Sequence, residues 1–189
     1  MKFNDKAIRE PVWMPRKRLR NTAMPRAYWK CLLDTASLTQ RIISNCPDVF
    51  SVAVIDQRWG RPMRNEALRL GVPIDRHALI RQVYLKCGST PWVYARTVIP
   101  GSTLTGPEQK LAHLRSRSLG AVLFSDPTMV RDEMEICRLT ERERMFARAT
   151  APLSKTPHEI WGRRSVFRLH NKPLLVCEVF LPTVGICIP

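Results

Sequence analysis

Residues 161–182, WGRRSVFRLHNKPLLVCEVFLP, decide the fold class. Two strand-forming runs, 163–170 and 174–181, flank Asn-Lys-Pro at 171–173, which is typical of a turn. We therefore expect a β-hairpin. The returning run is apolar at nearly every position, and this indicates a central strand that is buried on both faces.

A second hairpin is predicted upstream, from residues 77–86 (HALIRQVYLK) and 91–100 (PWVYARTVIP). Both runs are rich in β-branched and aromatic side chains, and the turn-like CGST lies between them. Alternation along a strand places Arg81 on an apolar face of the first run and Arg96 on an apolar face of the second. Such arginines are usually structural, but two on adjacent strands would form an anion pocket.

The remaining signals are helical or ambiguous. Ser37 is a candidate N-cap for a helix that begins SLTQRII, and Thr105-Gly-Pro-Glu108 matches a capping box that predicts another helix. Residues 50–59 alternate like a strand, and residues 128–149 fit either a helix or a strand. Because strand signals cluster in hairpins, we predict an α+β single domain built on an antiparallel sheet.

Composition limits the class of protein. The chain has 189 residues and a net charge of +15, yet it contains no apolar run long enough to span a bilayer and no apolar secretory leader. The basic segment 16–26 lacks any nucleic-acid-binding motif, so we expect no nucleic-acid partner. A soluble protein in a reducing cytoplasm is expected.

Motifs for common catalytic chemistries are absent from the sequence. There is no Walker loop, dinucleotide-binding glycine motif, nucleophile elbow or zinc-protease motif. The six cysteines are scattered and form no C-x-x-C pair, so we expect neither a zinc site nor a disulfide framework. We predict no metal and no nucleotide cofactor.

Glu178 is the unusual residue of the last strand, since it shares a face with Leu174, Val176 and Phe180. An ionised carboxylate on such a face costs several kcal/mol unless it is paired or hydrogen-bonded. Two explanations remain open on sequence alone. One is a structural ion pair with an arginine, for which the candidates are Arg81, Arg96 and Arg164. The other is a cavity whose anionic, hydroxyl-bearing ligand uses both charges.

Three blocks, 91–108 (PWVYARTVIPGSTLTGPE), 117–124 (RSLGAVLF) and 161–182, resemble the bacterial chorismate pyruvate-lyase family. The resemblance extends over residues 27–182 and is weakest before His77. We therefore predict a basic N-terminal arm at 1–26 and a chorismate lyase-like domain at 27–189. The segment 139–160 is longer than the corresponding connection in the family.

The resemblance implies an antiparallel sheet of about six strands, with helices that cover an enclosed ligand cavity. It implies conversion of chorismate to 4-hydroxybenzoate and pyruvate, the first step of ubiquinone biosynthesis, without metal or cofactor. By position, Arg81 and Glu178 are the candidate catalytic and substrate-binding residues. Leu119 and Leu38 are further substrate contacts, of which Leu38 is the weakest match.

The polar groups of chorismate imply a role for each of these residues. Arg81 would bind a carboxylate of chorismate, Glu178 would accept a hydrogen bond from the ring hydroxyl, and Leu119 would form part of the wall. Arg96, Arg163 and Arg164 are candidates for the second carboxylate or for balancing Glu178.

Two alternatives belong to other classes of protein. One is a non-catalytic aromatic-acid sensor of the same fold, and the other is a basic protein that binds nucleic acid. A monomer is expected from chain length and from the resemblance.

Overall fold

The computed structural model describes residues 9–19 and 24–185. The described strands are β1 (Met14–Pro15), β2 (Phe50–Gly60), β3 (Ala78–Cys87), β4 (Thr90–Pro100), β5 (Val130–Arg131), β6 (Glu135–Leu139), β7 (Ile160–Leu169) and β8 (Lys172–Phe180). They form one antiparallel sheet in the order β1-β6-β7-β8-β4-β3-β2, and β5 also pairs with β7. Six of these strands have five or more residues, so the α+β prediction is confirmed.

Helices cover both faces of this sheet. The described α-helices are α1 (Arg26–Leu32), α2 (Leu38–Asn45), α3 (Arg64–Leu70), α4 (Leu119–Phe124) and α5 (Arg144–Thr150), with 3-10 helices at Arg16–Arg18 and Gly106–His113. On one face α1 and α2 contribute core residues, and α4 lies beside α2. On the other face α3 and α5 pack against β4 and β8. None of the helices in the described residues has the length and hydrophobicity that a membrane span requires.

The hairpin of β7 and β8 turns one residue earlier than predicted. His170 and Asn171 both adopt positive φ, at 48° and 65°, as a two-residue hairpin turn requires. Strand β8 therefore begins at Lys172, inside the segment that we predicted as the turn. This shift changes which residue of β7 lies opposite Glu178.

The register defines two adjacent rows of side chains on the face beneath α2 and α4. One row runs Val83, Ala95, Glu178, Arg163, Ile136, and the next runs Gln57, Arg81, Thr97, Val176, Ser165. The two charged residues that the sequence singled out, Arg81 and Glu178, thus share a face. They lie two strands and two positions apart, so their Cα atoms are about 12 Å apart from standard sheet spacings.

The two predicted helix caps have different outcomes. Ser37 accepts a hydrogen bond from the Gln40 amide and precedes α2, as predicted. Thr105 precedes a 3-10 helix, but its side chain does not cap it. Glu108 instead binds Lys172 at 2.6 Å and His170 at 2.8 Å, because its buried carboxylate requires hydrogen-bond partners.

The prediction that the chain lacks disulfides was wrong. Cys46, which follows α2, is bonded to Cys87 at the end of β3. Their Cα atoms are 5.6 Å apart although 41 positions separate them in sequence. Cys177 is fully buried with a free thiol, as expected for a small core residue. Cys187 lies outside the described residues.

Part of the basic arm lies against the sheet. Met14 and Pro15 pair with β6, and Arg9 forms a parallel bridge to Glu143. Trp13 is 9% exposed, and the guanidinium of Arg164 lies 4.7 Å from its ring centroid. Residues 1–8 and 20–23 of the predicted arm lie outside the described residues.

Candidate active site

A cavity lies between the sheet and the helices α2 and α4. The empty space in this region, including open solvent at its mouth, is about 540 Å³. The four predicted site residues, Leu38, Arg81, Leu119 and Glu178, all line it. Most other lining residues are apolar, so the cavity offers two charged side chains within largely hydrophobic walls.

Arg81 projects into this cavity from β3 and is held by neutral acceptors. Its Nη1 donates to Oε1 of Gln57 at 2.9 Å, and its Nη2 donates to the carbonyls of Arg115 and Arg117 at 2.7 and 3.3 Å. Gln57 is itself held by a 2.7 Å bond to the carbonyl of Ala112. The guanidinium is therefore oriented without being neutralised.

The charge of Arg81 is uncompensated by any described carboxylate. The side chain is 3% exposed, and no described acidic oxygen lies within 4.0 Å of it. Burial lowers the pKa of Arg81 because the charged form loses hydration, although an arginine stays protonated at neutral pH. A buried, unpaired cation favours an anionic ligand, and the Nε–H and one Nη1–H remain available for it.

Glu178 projects from β8 and is paired with an arginine directly across the strand. Nε of Arg163 donates to its Oε2 at 2.6 Å. The sequence had left open whether Arg163 meets a ligand or balances this carboxylate, and the structure assigns it to the carboxylate. The Glu178 side chain retains 17% exposure, so part of the carboxylate faces the cavity.

Arg163 is itself fixed by backbone carbonyls. It is 1% exposed, and Nη1 donates to the carbonyls of Cys31 and Asp34, which lie in and just after α1. A second cation, Arg131, lies nearby, and its charge interacts with those of Glu178 and Arg163. Because Arg163 occupies only Oε2, the other carboxylate oxygen of Glu178 can accept a hydrogen bond from a ligand hydroxyl.

Helices α2 and α4 form the cover of the cavity. Leu38 is the first residue of α2 and Leu119 is the first residue of α4. The helices are joined by a 2.7 Å hydrogen bond between Oγ1 of Thr39 and Oγ of Ser118. At Gly120 an added Cβ would lie 2.6 Å from Oγ1 of Thr39, so glycine permits this close approach.

Two predicted anion-binding arginines lie on the opposite face of the sheet. Arg96 is opposite Gln82, and its Nε and Nη2 donate to Glu66 at 2.7 and 3.0 Å. Arg164 donates to Glu135 at 2.8 Å and to Asn65 at 2.6 Å. The prediction that Arg96 forms an anion pocket with Arg81 was therefore wrong, as were the proposals that Arg96 or Arg164 meets the second carboxylate or balances Glu178.

Sequence reasoning missed several polar residues of the site. Gln57 and Thr97 lie directly opposite Arg81 on the two neighbouring strands, so the correct register would have found them. Thr39 and Ser118 are separated by 79 positions, and no local pattern predicts their contact. In the described residues no cluster of three or more His, Cys, Asp or Glu side chains could hold a metal ion.

The antiparallel sheet and the helices that cover its faces define a class of α+β folds. Among solved structures, PhnF from Mycobacterium smegmatis aligns with a TM-score of 0.57 and 15% identity, covering 79% of this chain and 65% of that chain. A GntR-family transcriptional regulator from Bacillus cereus aligns with a TM-score of 0.51 and 12% identity, covering 70% and 92%. At such low identity these likenesses show the fold alone.

Within this class, the chain belongs to the chorismate lyase family, because the sequence model described as "Chorismate lyase" matches residues 7–187. A relative from Nitrosospira multiformis, named "Probable chorismate pyruvate-lyase", is 39% identical over 153 residues, which cover 81% of this chain and 85% of the relative. A relative of the same name from Pseudomonas fluorescens is 35% identical over 177 residues, covering 92% and 89%.

Proposed function

We propose that this protein is a chorismate pyruvate-lyase, which cleaves chorismate to 4-hydroxybenzoate and pyruvate. The observation that carries the proposal is the arrangement of Arg81 and Glu178, which face one cavity without pairing with each other. An unpaired cation and an acceptor separated across an apolar space suit a ring that bears a carboxylate and a hydroxyl at opposite ends.

Arg81 binds the ring carboxylate in this proposal. Its Nε–H has no partner among the described residues and can donate to a carboxylate oxygen, and a buried, charge-assisted hydrogen bond of this kind is stronger than its counterpart in water. Gln57 and the two carbonyls hold the guanidinium in place before the ligand arrives, so little ordering is required on binding.

Glu178 accepts the hydrogen bond of the ring hydroxyl at the other end. Arg163 uses Oε2, which leaves the second oxygen of the carboxylate for the ligand. Because Arg163 is anchored to backbone carbonyls, the carboxylate has a fixed position. Leu38 and Leu119 close over the ring between these two polar ends.

The reaction breaks the ether bond between the ring and the enolpyruvyl group. The hydrogen on the hydroxyl-bearing ring carbon passes to the enolpyruvyl methylene, the ether oxygen becomes the carbonyl of pyruvate, and the ring becomes aromatic. No external acid, oxidant or cofactor is needed for this balance. The protein contributes by holding the reactive conformer in a site from which water is excluded.

Product release depends on the movement of the helices α2 and α4, which cover the cavity. The ring leaves only when α2 and α4 separate, so the Thr39–Ser118 bond and the close approach at Gly120 resist its departure. Release is therefore a step that can limit turnover.

We place the protein in the cytoplasm as a monomer that supplies ubiquinone biosynthesis without metal, cofactor or nucleic acid. We assign residues 27–189 as the functional domain and 1–26 as a basic arm, part of which joins the sheet of that domain through β1. All cavity-lining residues fall between positions 38 and 178, which supports that division.

The test is incubation of the purified protein with chorismate. Pyruvate is measured by coupled reduction and 4-hydroxybenzoate by chromatography, with boiled protein as the control and with chelator in a parallel reaction. Equal amounts of both products, unaffected by chelator, are expected. Tight binding of 4-hydroxybenzoate without turnover would instead select the sensor alternative.

A further inference from the structure

Thr97 is a buried residue of the cavity whose hydroxyl has no protein partner. It lies on β4, is 4% exposed, and lines the space between the sheet and α4. Its Oγ1 makes no hydrogen bond with any residue in the described ranges.

This lack of a partner distinguishes Thr97 from the other buried hydroxyls in the described part of the chain. Thr39 is bonded to Ser118, and Ser165 accepts from Nε of Arg131 at 3.0 Å. Thr103 and Thr150 donate to backbone carbonyls, at 2.6 and 2.9 Å. Among the described residues, the fully buried polar side-chain atoms without a partner are limited to Nε1 of Trp13, so Oγ1 of Thr97 keeps some accessible surface. Because Thr97 lines the cavity, this hydroxyl is available for a ligand.

The position of Thr97 fixes which end of the ligand it meets. Thr97 lies directly opposite Arg81 in the antiparallel pair of β3 and β4, where side chains of one face are neighbours. Val176, its neighbour on β8, is apolar, whereas Glu178 lies one position further along that strand face. The hydroxyl therefore lies at the Arg81 end of the cavity.

We propose that Oγ1–H of Thr97 donates a hydrogen bond to the carboxylate oxygen of the aromatic ligand that Arg81 also binds. This rests on the proposed function for the identity of the ligand and adds a specificity-determining residue to the site. Arg81 supplies the charge, and Thr97 fixes the rotation of the carboxylate plane relative to the ring.

The experiment compares Thr97→Val, which removes the hydroxyl at nearly constant shape, with Thr97→Ser, which keeps it. Dissociation constants are measured by calorimetry for 4-hydroxybenzoate and for phenol, which lacks the carboxylate, and kcat/KM is measured with chorismate. Thr97→Val is expected to bind 4-hydroxybenzoate about 10- to 100-fold more weakly, the range for a lost bond to a charged group. Phenol affinity should not change, and Thr97→Ser should stay within about threefold of wild type.

The proposal is overturned if Thr97→Val binds 4-hydroxybenzoate as wild type does. It is also overturned if the valine and serine variants lose affinity equally, or if phenol binding falls in parallel, since each result indicates packing alone. If the Thr97→Val variant does not fold, the Thr97→Ala variant is measured in its place. If the wild type binds 4-hydroxybenzoate in a Thr97-dependent way but does not convert chorismate, the lyase function fails while this contact stands.

Discussion

Arg81 and Glu178 share one face of the sheet, and no ion pair joins them, because each has its own set of partners. Gln57 and two carbonyls hold the arginine, whereas Arg163 holds the glutamate. A substitution at either residue therefore leaves intact the hydrogen bonds that hold the other side chain. The two ends of the ligand can be tested separately.

Replacing Arg81 with alanine removes the cation that faces the ring carboxylate. We expect kcat/KM for chorismate to fall at least about 100-fold, which corresponds to about 3 kcal/mol of lost transition-state binding. Steady-state kinetics measure this loss. Arg138→Ala is the matched control, since Arg138 is 60% exposed on β6 and should leave kinetics unchanged. Near-normal activity of Arg81→Ala would remove the residue from the site.

Replacing Glu178 with glutamine keeps an oxygen that accepts from Arg163 but removes the negative charge. The hydroxyl of 4-hydroxybenzoate then meets a weaker acceptor, so its dissociation constant should rise about 10-fold or more. Titration calorimetry measures this constant, and thermal unfolding serves as the control. A variant that loses its fold, or that is destabilised but binds normally, would make Glu178 a purely structural partner of Arg163.

A methyl group at position 120 should separate the helices of the cover. The Cβ of Gly120→Ala would lie 2.6 Å from Oγ1 of Thr39, so either this side chain rotates away from Ser118 or α2 and α4 move apart. We expect weaker product binding and faster product release, measured by stopped-flow fluorescence. Adding Thr39→Ala removes the clashing oxygen and should restore much of the affinity. If the double variant is no better than Gly120→Ala, the contact with Thr39 is not the cause.

Removing the Cys46–Cys87 bond should lower stability without altering the residues of the site. The bond closes a loop of 41 positions, and the chain-entropy relation gives a contribution of up to about 4 kcal/mol. Denaturant unfolding of the Cys46→Ser/Cys87→Ser variant measures the loss. The single Cys46→Ser variant should match the double variant, because either change removes the bond. A loss below about 1 kcal/mol would contradict a stabilising role.

Acid stability should depend on Glu108. Its hydrogen bonds to Lys172 and His170 lower the pKa of this carboxyl below its usual value of 4.5, although burial acts in the opposite direction. A lowered pKa in the folded state stabilises the fold above pH 4.5, and this stabilisation is lost as pH falls through the folded-state pKa. Denaturant titrations between pH 3 and 6 should therefore show a shallower acid decline for Glu108→Gln than for wild type. Identical slopes would exclude this contribution.

The sequence predicted the elements well because alternation and turn residues are local signals. Both hairpins, the helix after Ser37 and the α+β class follow from such signals. The same local signals did not predict the partner of Glu178, because the residue opposite Glu178 depends on the position of the β7–β8 turn. A turn centred on Lys172 would place Val166 opposite Glu178, whereas the observed turn at His170 and Asn171 places Arg163 there.

A single bulge explains the error at Arg96. The turn between β3 and β4 alone would place Arg96 opposite Arg81. The register shifts by one residue between Leu85 and Lys86, so Arg81 faces Thr97 and Arg96 turns to the other face. A bulge depends on how both strands pack, so the alternation of residues along one strand does not predict where it lies.

The consecutive residues Arg163 and Arg164 point to opposite faces, one beneath the ligand cavity and the other against Asn65 and Glu135. An insertion or deletion of a single codon within β7 would exchange them and leave Glu178 without its counter-ion. We therefore expect a change of length to be tolerated in the connection between α5 and β7, but not within β7 itself.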